Sequence, residues 1–266
     1  MLRPADIDTS TGALKHLLRI IGRLRQAWPG VQIVLRGDSG FCREHLMRWC
    51  EANGVAYLFG MAKNRRLLRI LGGEMQQAKQ LFAQTQQPAR VFKDFTYRTH
   101  KSWSRARRVV GKAEYLAKGD NPRFVVTSLT AAAFPDRMLY EQEYCGRGDM
   151  ENRIKEQQLF LFAYRTSCAT MRANQVRLLL STVAYVVLRA LRQFGLAGTE
   201  LAAAQCDTLR LKLLKIGAVI RFTTRRVWVA LSEGYPFRAV FLRVWENLRG
   251  LVVPTPVATP ATVPTG

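Results

Sequence analysis

The strongest constraint on the fold is the order of patterns in residues 31–60. Residues 31–35 form a short apolar run with two valines and an isoleucine, and it ends at Arg-Gly-Asp-Ser-Gly, residues 36–40. Residues 43–53 have helical periodicity, and residues 57–60 read as a further strand. This order is typical of an α/β sheet. It predicts that Asp38 lies at the carboxyl end of a buried strand.

The rest of the chain alternates between helical and β patterns. A helix is predicted over residues 12–28, with Ser10 or Thr11 as its cap and Pro29 and Gly30 at its end. Residues 63–84 are predicted to be helical and residues 91–99, 107–115 and 123–129 to have β character. Helices dominate residues 136–194, and residues 197–249 favour a helix, two strands at 218–223 and 226–231, and a final helix after Pro236.

Charge indicates the class of partner. The 266 residues include 41 Lys and Arg against 19 Asp and Glu, a formal net charge of +22, while 48% of the residues are hydrophobic. A foldable chain this basic usually binds a polyanion, because neutralising phosphates releases counterions. Nucleic acid is the leading interpretation. A ribosome-associated protein, a membrane-surface binder or merely a basic surface remain alternatives.

The five cysteines have no metal-site or disulfide spacing, and the first ten residues lack the apolar run of a signal peptide. A cytoplasmic location is therefore predicted. The most apolar stretch, residues 176–191, is interrupted by Arg177 and Arg189 and contains Ser181 and Thr182. It falls short of the ~20 apolar residues that span a bilayer, so a buried helix is predicted.

Two carboxylates stand where they could face one cleft. Asp38 lies at a strand end beside a Gly-flanked turn, and Glu151 lies at the start of a long helix. Phosphoryl transfer on DNA can use carboxylates that hold divalent metals. Taken singly, each residue is better explained structurally, Asp38 as a helix cap and Glu151 as a first-turn acid that stabilises the helix dipole.

Taken together, the two segments resemble a known family. Residues 36–41, Arg-Gly-Asp-Ser-Gly-Phe, and residues 150–157, Met-Glu-Asn-Arg-Ile-Lys-Glu-Gln, are similar to the second and third catalytic blocks of bacterial insertion-sequence transposases of the group numbered thirteen-eighty. That group belongs to the class with an Asp, Asp, Glu triad on an RNase H-like fold. The resemblance extends from Leu2 to about Phe241, through residues 49–54, 101–104 and 209–215.

The resemblance implies site residues and a fold. Asp38 would be the middle carboxylate and Glu151 the last, with Mg²⁺ or Mn²⁺ as the cofactor. The family signature of Tyr, Arg, Glu and Lys is met by Tyr144, Arg147 and Glu151, whereas Gln158 stands where Lys is expected and Lys155 could substitute for it. The implied fold class is α/β, an incomplete RNase H-like core with a β-rich insertion and a mainly helical C-terminal part.

Five segments follow from these patterns. Residues 1–62 would form a partial core with Asp38, residues 63–135 a helix with the β-rich basic insertion, and residues 136–195 the helical return that carries Glu151. Residues 196–250 would form a basic C-terminal region. The uncharged Pro- and Thr-rich residues 251–266 are predicted to be a disordered tail.

In the family, the first catalytic Asp precedes the segment that resembles residues 2–4. The resemblance therefore predicts a truncated transposase without that Asp, because Asp6 and Asp8 precede the first helix and read as loop or capping residues. Double-stranded DNA, at element ends and target, is the expected partner. A homodimer is possible and no membrane is expected. The alternative is a non-catalytic DNA-binding remnant, or an inhibitor of the intact transposase.

One segment combines positive charge with aromatic rings. Such a mixture suits phosphate contacts and stacking on a base, although a solvated β-ribbon with Trp103 packed beneath it would look the same. The predicted DNA-binding residues here are Tyr97, Arg98, Lys101, Trp103, Arg105, Arg107 and Arg108. The signature residues Tyr144 and Arg147, together with Lys155, are also predicted to bind DNA. A second basic zone, residues 210–226, could be only a charged surface.

Overall fold

A computed structural model describes residues 7, 8 and 10–251. It divides into two compact units, one ending at Glu151 and the other beginning at Asn152. The mixture of helices with a mixed sheet confirms the predicted α/β class. The predicted tail after Leu251 and the predicted loop residue Asp6 lie outside the described residues.

The first unit begins with the predicted strand, loop, helix and strand order. Its elements are α1 (Ala13–Ala27), β1 (Val34–Gly37), α2 (Glu44–Ala52), β2 (Ala56–Met61), α3 (Arg65–Ile70) and α4 (Gly72–Thr85). The single helix predicted for residues 63–84 is two helices. The predicted side-chain cap of α1 is wrong, because the cap residue is Gly12, at φ 75°, and the Ser10 hydroxyl instead donates to Asp8 Oδ1 at 2.6 Å.

The next strands join the same sheet. They are β3 (Ala89–Tyr97), β4 (Arg107–Leu116), β5 (Gly119–Asp120) and β6 (Arg123–Thr127), in the sheet order β1-β2-β6-β4-β3 with β5 on β4. Only β1 and β2 run parallel, and β6 is antiparallel to β2. The strands predicted for the β-rich insertion therefore continue the sheet that carries β1. Composition could not show this, because it does not reveal which strands pair.

Alternation along the strands gives the sheet two buried faces. Tyr57 and Phe59 pack with residues of α2, α3 and α4, whereas Leu58 packs with Val110, Val125 and the helical segment that follows. That segment is α5 (Asp136–Met138), a π-helical stretch Leu139–Tyr144, a 3₁₀ turn Cys145–Arg147 and α6 (Gly148–Lys155). The first unit thus has helices on both faces of its sheet.

The second unit is mainly helical and has its own core. After a π-helical turn Glu156–Phe160 come α7 (Met171–Ala190), a π-helical end Leu191–Gly195, α8 (Cys206–Leu209), a π-helical turn Arg210–Leu214, the hairpin β7 (Ala218–Phe222) and β8 (Val227–Leu231), and α9 (Arg238–Arg249). Glu156 is 5% exposed and accepts hydrogen bonds from Arg192 at 2.5 Å and from the Cys206 amide at 2.8 Å. These bonds connect the start of the unit to the π-helical end that follows α7 and to α8.

The prediction that residues 176–191 form a buried helix is wrong in its burial. Leu180 of α7 is 64% exposed, and only Asn174 and Leu188 of this helix are buried. The apolar residues of α7 lie all around the helix, so packing against one face cannot bury all of them. By length and composition, residues 171–195 could cross a membrane, and 17% of their most apolar part is buried. A single helix of this kind is weak evidence for a membrane span.

Candidate functional site

The candidate site lies at one edge of the six-stranded sheet. Because β1 and β2 are parallel, with Gly37 opposite Phe59, both strands end at this edge, and the antiparallel β6 begins there. A cleft of about 600 Å³ opens at this edge. It is lined by Asp38, Ser39, Gly60, Met61, Ala62, Lys63, Asn121, Pro122, Arg123, Phe124, Tyr140 and Tyr144. Its size is within the usual range for ligand pockets.

Asp38 lies directly after β1, as the sequence predicted, but the prediction that this strand is buried is wrong, because Val34 and Arg36 are exposed. Its side chain accepts a hydrogen bond from the Gly40 amide at 2.9 Å and caps the 3₁₀ turn Ser39–Phe41. The structural alternative was a cap for α2, but the residue at that position is Arg43. One oxygen of the exposed Asp38 carboxylate thus fixes the turn, and the side chain remains on the wall of the cleft.

Tyr144 reaches the same cleft from the opposite layer. It ends the π-helical stretch and stacks obliquely on Tyr140, with the ring centroids 5.4 Å apart. Its hydroxyl lies so close to β2 that a Cβ on Gly60 would be 2.5 Å from it and 3.1 Å from the Ser39 amide nitrogen. Glycine at position 60 therefore permits both the Tyr144 hydroxyl and the Asp38 turn to approach β2 closely.

Replacing Gly60 with Ala should crowd this contact. We expect a loss of about 1–3 kcal/mol in the free energy of unfolding, measured by urea denaturation, because the added methyl forces Tyr144 and the turn apart. Gly73→Ala is the control, since a Cβ there meets nothing within 4 Å. Tyr144→Phe removes the contacting oxygen, so the penalty should shrink in the Tyr144→Phe background. An equal penalty in both backgrounds would contradict this account.

The other predicted signature residues lie on the helices that follow. Glu151 is exposed in the first turn of α6 and is not among the residues that line the cleft. Arg147 ends the 3₁₀ turn before α6. Lys155 is exposed at the end of α6, and Gln158 is exposed in the π-helical turn after it, both in the second unit.

The two aromatic residues predicted to stack on DNA bases lie in the core. Tyr97 is 5% exposed and Trp103 is 6% exposed. Their rings meet edge to face, with the centroids 5.8 Å apart. A buried ring has no open face for a base, so in this conformation the structure favours the alternative of a Trp packed beneath a ribbon.

The basic residues beside them bind acceptors within the first unit. Arg107 is buried and pairs with Glu44 and Glu51, each at 2.7 Å. Arg108 pairs with Asp94 at 2.6 Å and also donates to two carbonyl oxygens. Arg98 donates to the Trp103 carbonyl, Arg105 pairs with Glu51, and Lys101 is exposed.

This basic segment also lies at the end of the sheet opposite to the cleft. Arg108 is opposite Thr127, the last residue of β6, whereas the cleft is at the edge where β6 begins. Residues 98–106, which connect β3 to β4, therefore lie at the end of the sheet away from Asp38. We find no geometric link between the predicted basic cluster and the predicted catalytic Asp.

The sequence analysis missed two charged residues of the cleft. Lys63 was read only as the start of a helix, and Arg123 only as the start of a strand. Neither position stands out locally, because their proximity depends on the pairing of β2 with β6. A signal was present, since each adjoins the end of an apolar run and the cleft residue Asp38 does too.

The described residues do not by themselves form a metal site. A hard divalent cation takes six or more oxygen ligands, several of them from carboxylates. In the described part of the chain, no group of three or more His, Cys, Asp or Glu side chains comes together to hold an ion. Asp38 has suitable chemistry, but these residues do not provide the number of ligands required.

Comparison with known protein families identifies the chain. Residues 1–253 match the family described as transposase DDE domain, group 1. No curated protein matches the sequence. The match covers nearly the whole chain, including the Asp38 turn, the cleft and the helix that carries Glu151. The chain therefore belongs to the transposase DDE domain group 1 family.

Proposed function

We propose that this protein is a DNA transposase of an insertion sequence, with an RNase H-like core in which Asp38 and Glu151 are catalytic carboxylates. The observation that carries the proposal is the position of Asp38. It follows the end of β1 in a mixed sheet and lies on the wall of a cleft that the signature residue Tyr144 also lines. The family match supports the same function.

The reaction proposed is strand cleavage followed by strand transfer. A divalent cation, Mg²⁺ or Mn²⁺, would stabilise the charge that develops on the reacting phosphate. Asp38 and Glu151 would hold it through oxygen ligands. The chain's own contribution at the cleft is to fix Asp38 through the Gly40 amide and to present the Tyr144 hydroxyl beside it. That hydroxyl would donate a hydrogen bond to a phosphate oxygen.

A third carboxylate would complete the ligand set. We propose that it lies on a strand preceding the segment that residues 2–4 resemble. Two observations support this. Among the described strands, β1 pairs only with β2, so its other edge is open to a further strand. Asp8 is engaged by Ser10 and Arg43, as expected of a loop residue.

The test is reconstitution. The DNA upstream of the coding sequence is translated in all frames, and any strand with an Asp is added to the chain. Cleavage of a plasmid that carries the flanks of the coding sequence is then measured while Mg²⁺ or Mn²⁺ is titrated. We expect cleavage with the added segment and none by the chain alone. Robust metal-dependent cleavage by the chain alone would refute the third-carboxylate proposal.

A second candidate function is a non-catalytic DNA binder in the bacterial cytoplasm that inhibits the intact transposase by mixed assembly. The incomplete ligand set within the described residues favours it. Its signature would be DNA binding without cleavage in both forms of the protein, together with inhibition when the chain is mixed with an active homologue. Double-stranded DNA is the proposed partner in both cases, and a homodimer is compatible with both.

A further inference from the structure

We propose that Lys63 and Arg123 form a binding site for a DNA backbone phosphate, beside Asp38 and on the same strand as the reacting phosphate. The proposal rests on the proposed function, because it takes DNA as the ligand of the cleft. It adds a phosphate subsite that the sequence analysis did not contain and assigns it to two residues.

The topology brings the two cations to the edge where Asp38 lies. Lys63 follows the end of β2 by two residues, and Arg123 is the first residue of β6. Met61 is opposite Phe124, so Lys63 and Arg123 adjoin the paired ends of neighbouring strands. Both side chains line the cleft together with Asp38.

Neither cation is used by the fold. In the described part of the chain, the side chains of Lys63 and Arg123 have no hydrogen bond or ion pair, and both residues are exposed. The other basic residues on the strands of this sheet have acceptors, which are a carbonyl oxygen for Arg36 and carboxylates for Arg90, Lys93, Arg107, Arg108 and Lys112. The cleft is thus the place on this sheet where positive charge is left for a ligand.

The electrostatics of the cleft favour an anion at this end. Asp38 is the only acid among the described lining residues, and its carboxylate already accepts the Gly40 amide. Burial raises the pKa of Tyr140, and the positive charge of Arg123, which lines the same cleft, opposes that rise. Arg can bind a phosphate with two parallel hydrogen bonds, and Lys adds a point charge.

The spacing indicates a neighbouring phosphate rather than the reacting one. Lys63 is three residues beyond Gly60, where an added Cβ would be 3.1 Å from the Ser39 amide nitrogen of the Asp38 turn. Three residues of extended chain span up to about 10 Å, so Lys63 can lie a phosphate spacing away from that turn. A DNA strand that placed its reacting phosphate at Asp38 could therefore place another phosphate between Lys63 and Arg123. Such a contact fixes the position of the strand without reading its sequence.

The first test is the salt dependence of DNA binding in EDTA, where cleavage plays no part. We measure the affinity for a 30-base-pair duplex by fluorescence anisotropy between 50 and 200 mM salt. The variant Lys63→Ala with Arg123→Ala should reduce the slope of log K against log salt by about 0.9, because it removes one phosphate contact. The control, Arg23→Ala with Lys118→Ala, removes the same residue types from exposed positions outside the cleft.

The second test needs no variant and so does not depend on how one folds. Lysine acylation is measured by mass spectrometry on the unmodified chain with and without the duplex. We expect DNA to protect Lys63 several-fold and to leave Lys118 unchanged. Protection of Lys101 without Lys63 would overturn the proposal and assign the contact to residues 98–112. An equal slope change in the control variant would overturn it as well.

Failure of this inference can be told from failure of the proposed function. If the chain binds DNA through Lys63 and Arg123 but no form cleaves it, the phosphate site stands and the catalytic proposal fails. If a reconstituted protein cleaves DNA but the cleft variant, Lys63→Ala with Arg123→Ala, has the same salt slope as the control variant, catalysis stands and the phosphate site is refuted.

Discussion

Replacing Arg107 with Met is expected to lower the free energy of unfolding by about 3–5 kcal/mol, because it removes the buried cation that two largely buried carboxylates share. The Arg107 side chain is 2% exposed, and those of Glu44 and Glu51 are 22% and 12% exposed. Urea denaturation followed by circular dichroism measures the loss. The melting temperature should fall by roughly 10 °C.

The matched control is Arg105→Met. Arg105 also pairs with Glu51, at 2.9 Å, but its side chain is 61% exposed. An exposed ion pair contributes about 1 kcal/mol or less, so this variant should be nearly as stable as the original chain. If the two variants were equally stable, burial would not be the cause and the account of Arg107 would fail.

The same ion pairs predict how the difference depends on pH. Burial opposes ionisation of Glu44, but hydrogen bonds from Arg107 and Ser104 outweigh it and lower the pKa from 4.5 to about 2. A lowered pKa in the folded state adds stability above the unfolded value, and this stability disappears as the pH falls through the folded value. The difference in the free energy of unfolding between the original chain and Arg107→Met should therefore decrease as the pH falls from about 4.5 towards 2.

Replacing Asp38 with Asn should reduce DNA cleavage at least about 10³-fold in whichever form of the protein proves active, because carboxylates that act as a unit fail together. The amide keeps the size of the side chain and an oxygen for the Gly40 amide, so the turn should survive. A free energy of unfolding of Asp38→Asn within about 0.5 kcal/mol of the original chain's would show that the variant loses activity through the change of its functional group and not through unfolding. Glu151→Gln should have a similar effect.

Controls for this prediction come from acids of the same types. Asp120 forms an exposed ion pair with Lys79, and Glu246 forms one with Arg243. Asp120→Asn and Glu246→Gln should leave cleavage within a few-fold of the original. Full activity of Asp38→Asn in the presence of Mg²⁺ would exclude Asp38 as a catalytic ligand and, with it, the proposed site.

Local patterns predicted the elements but not their neighbours. The position of Asp38 could be predicted because a β-branched run and a Gly-flanked turn are adjacent in the chain. Lys63 and Arg123 could not, since they meet only through the pairing of β2 with β6, across about 60 residues of sequence. The two strands have apolar runs of similar length, so many pairings were compatible with the sequence.

Charge density was a poor guide to which cations are available. Arg107 and Arg108 stand in the densest basic segment, yet the fold uses both of them, because Glu44, Glu51 and Asp94 approach from distant positions in the chain. The isolated Arg123 has no such partner in the described residues. Apolar composition was also a poor guide to burial, because helix α7 was predicted to be buried and most of its apolar side chains are exposed.

Among the described strands, none covers the edge of β1 that faces away from β2, and this bears on selectivity. Unpaired strand edges can capture strands of other polypeptides through backbone hydrogen bonds, which are the same for every sequence. With only four residues, Val34–Gly37, β1 offers few such bonds. A captured strand would have to gain most of its affinity from the fit of its side chains. The shortness of β1 thus disfavours indiscriminate aggregation and favours a partner whose sequence matches this edge.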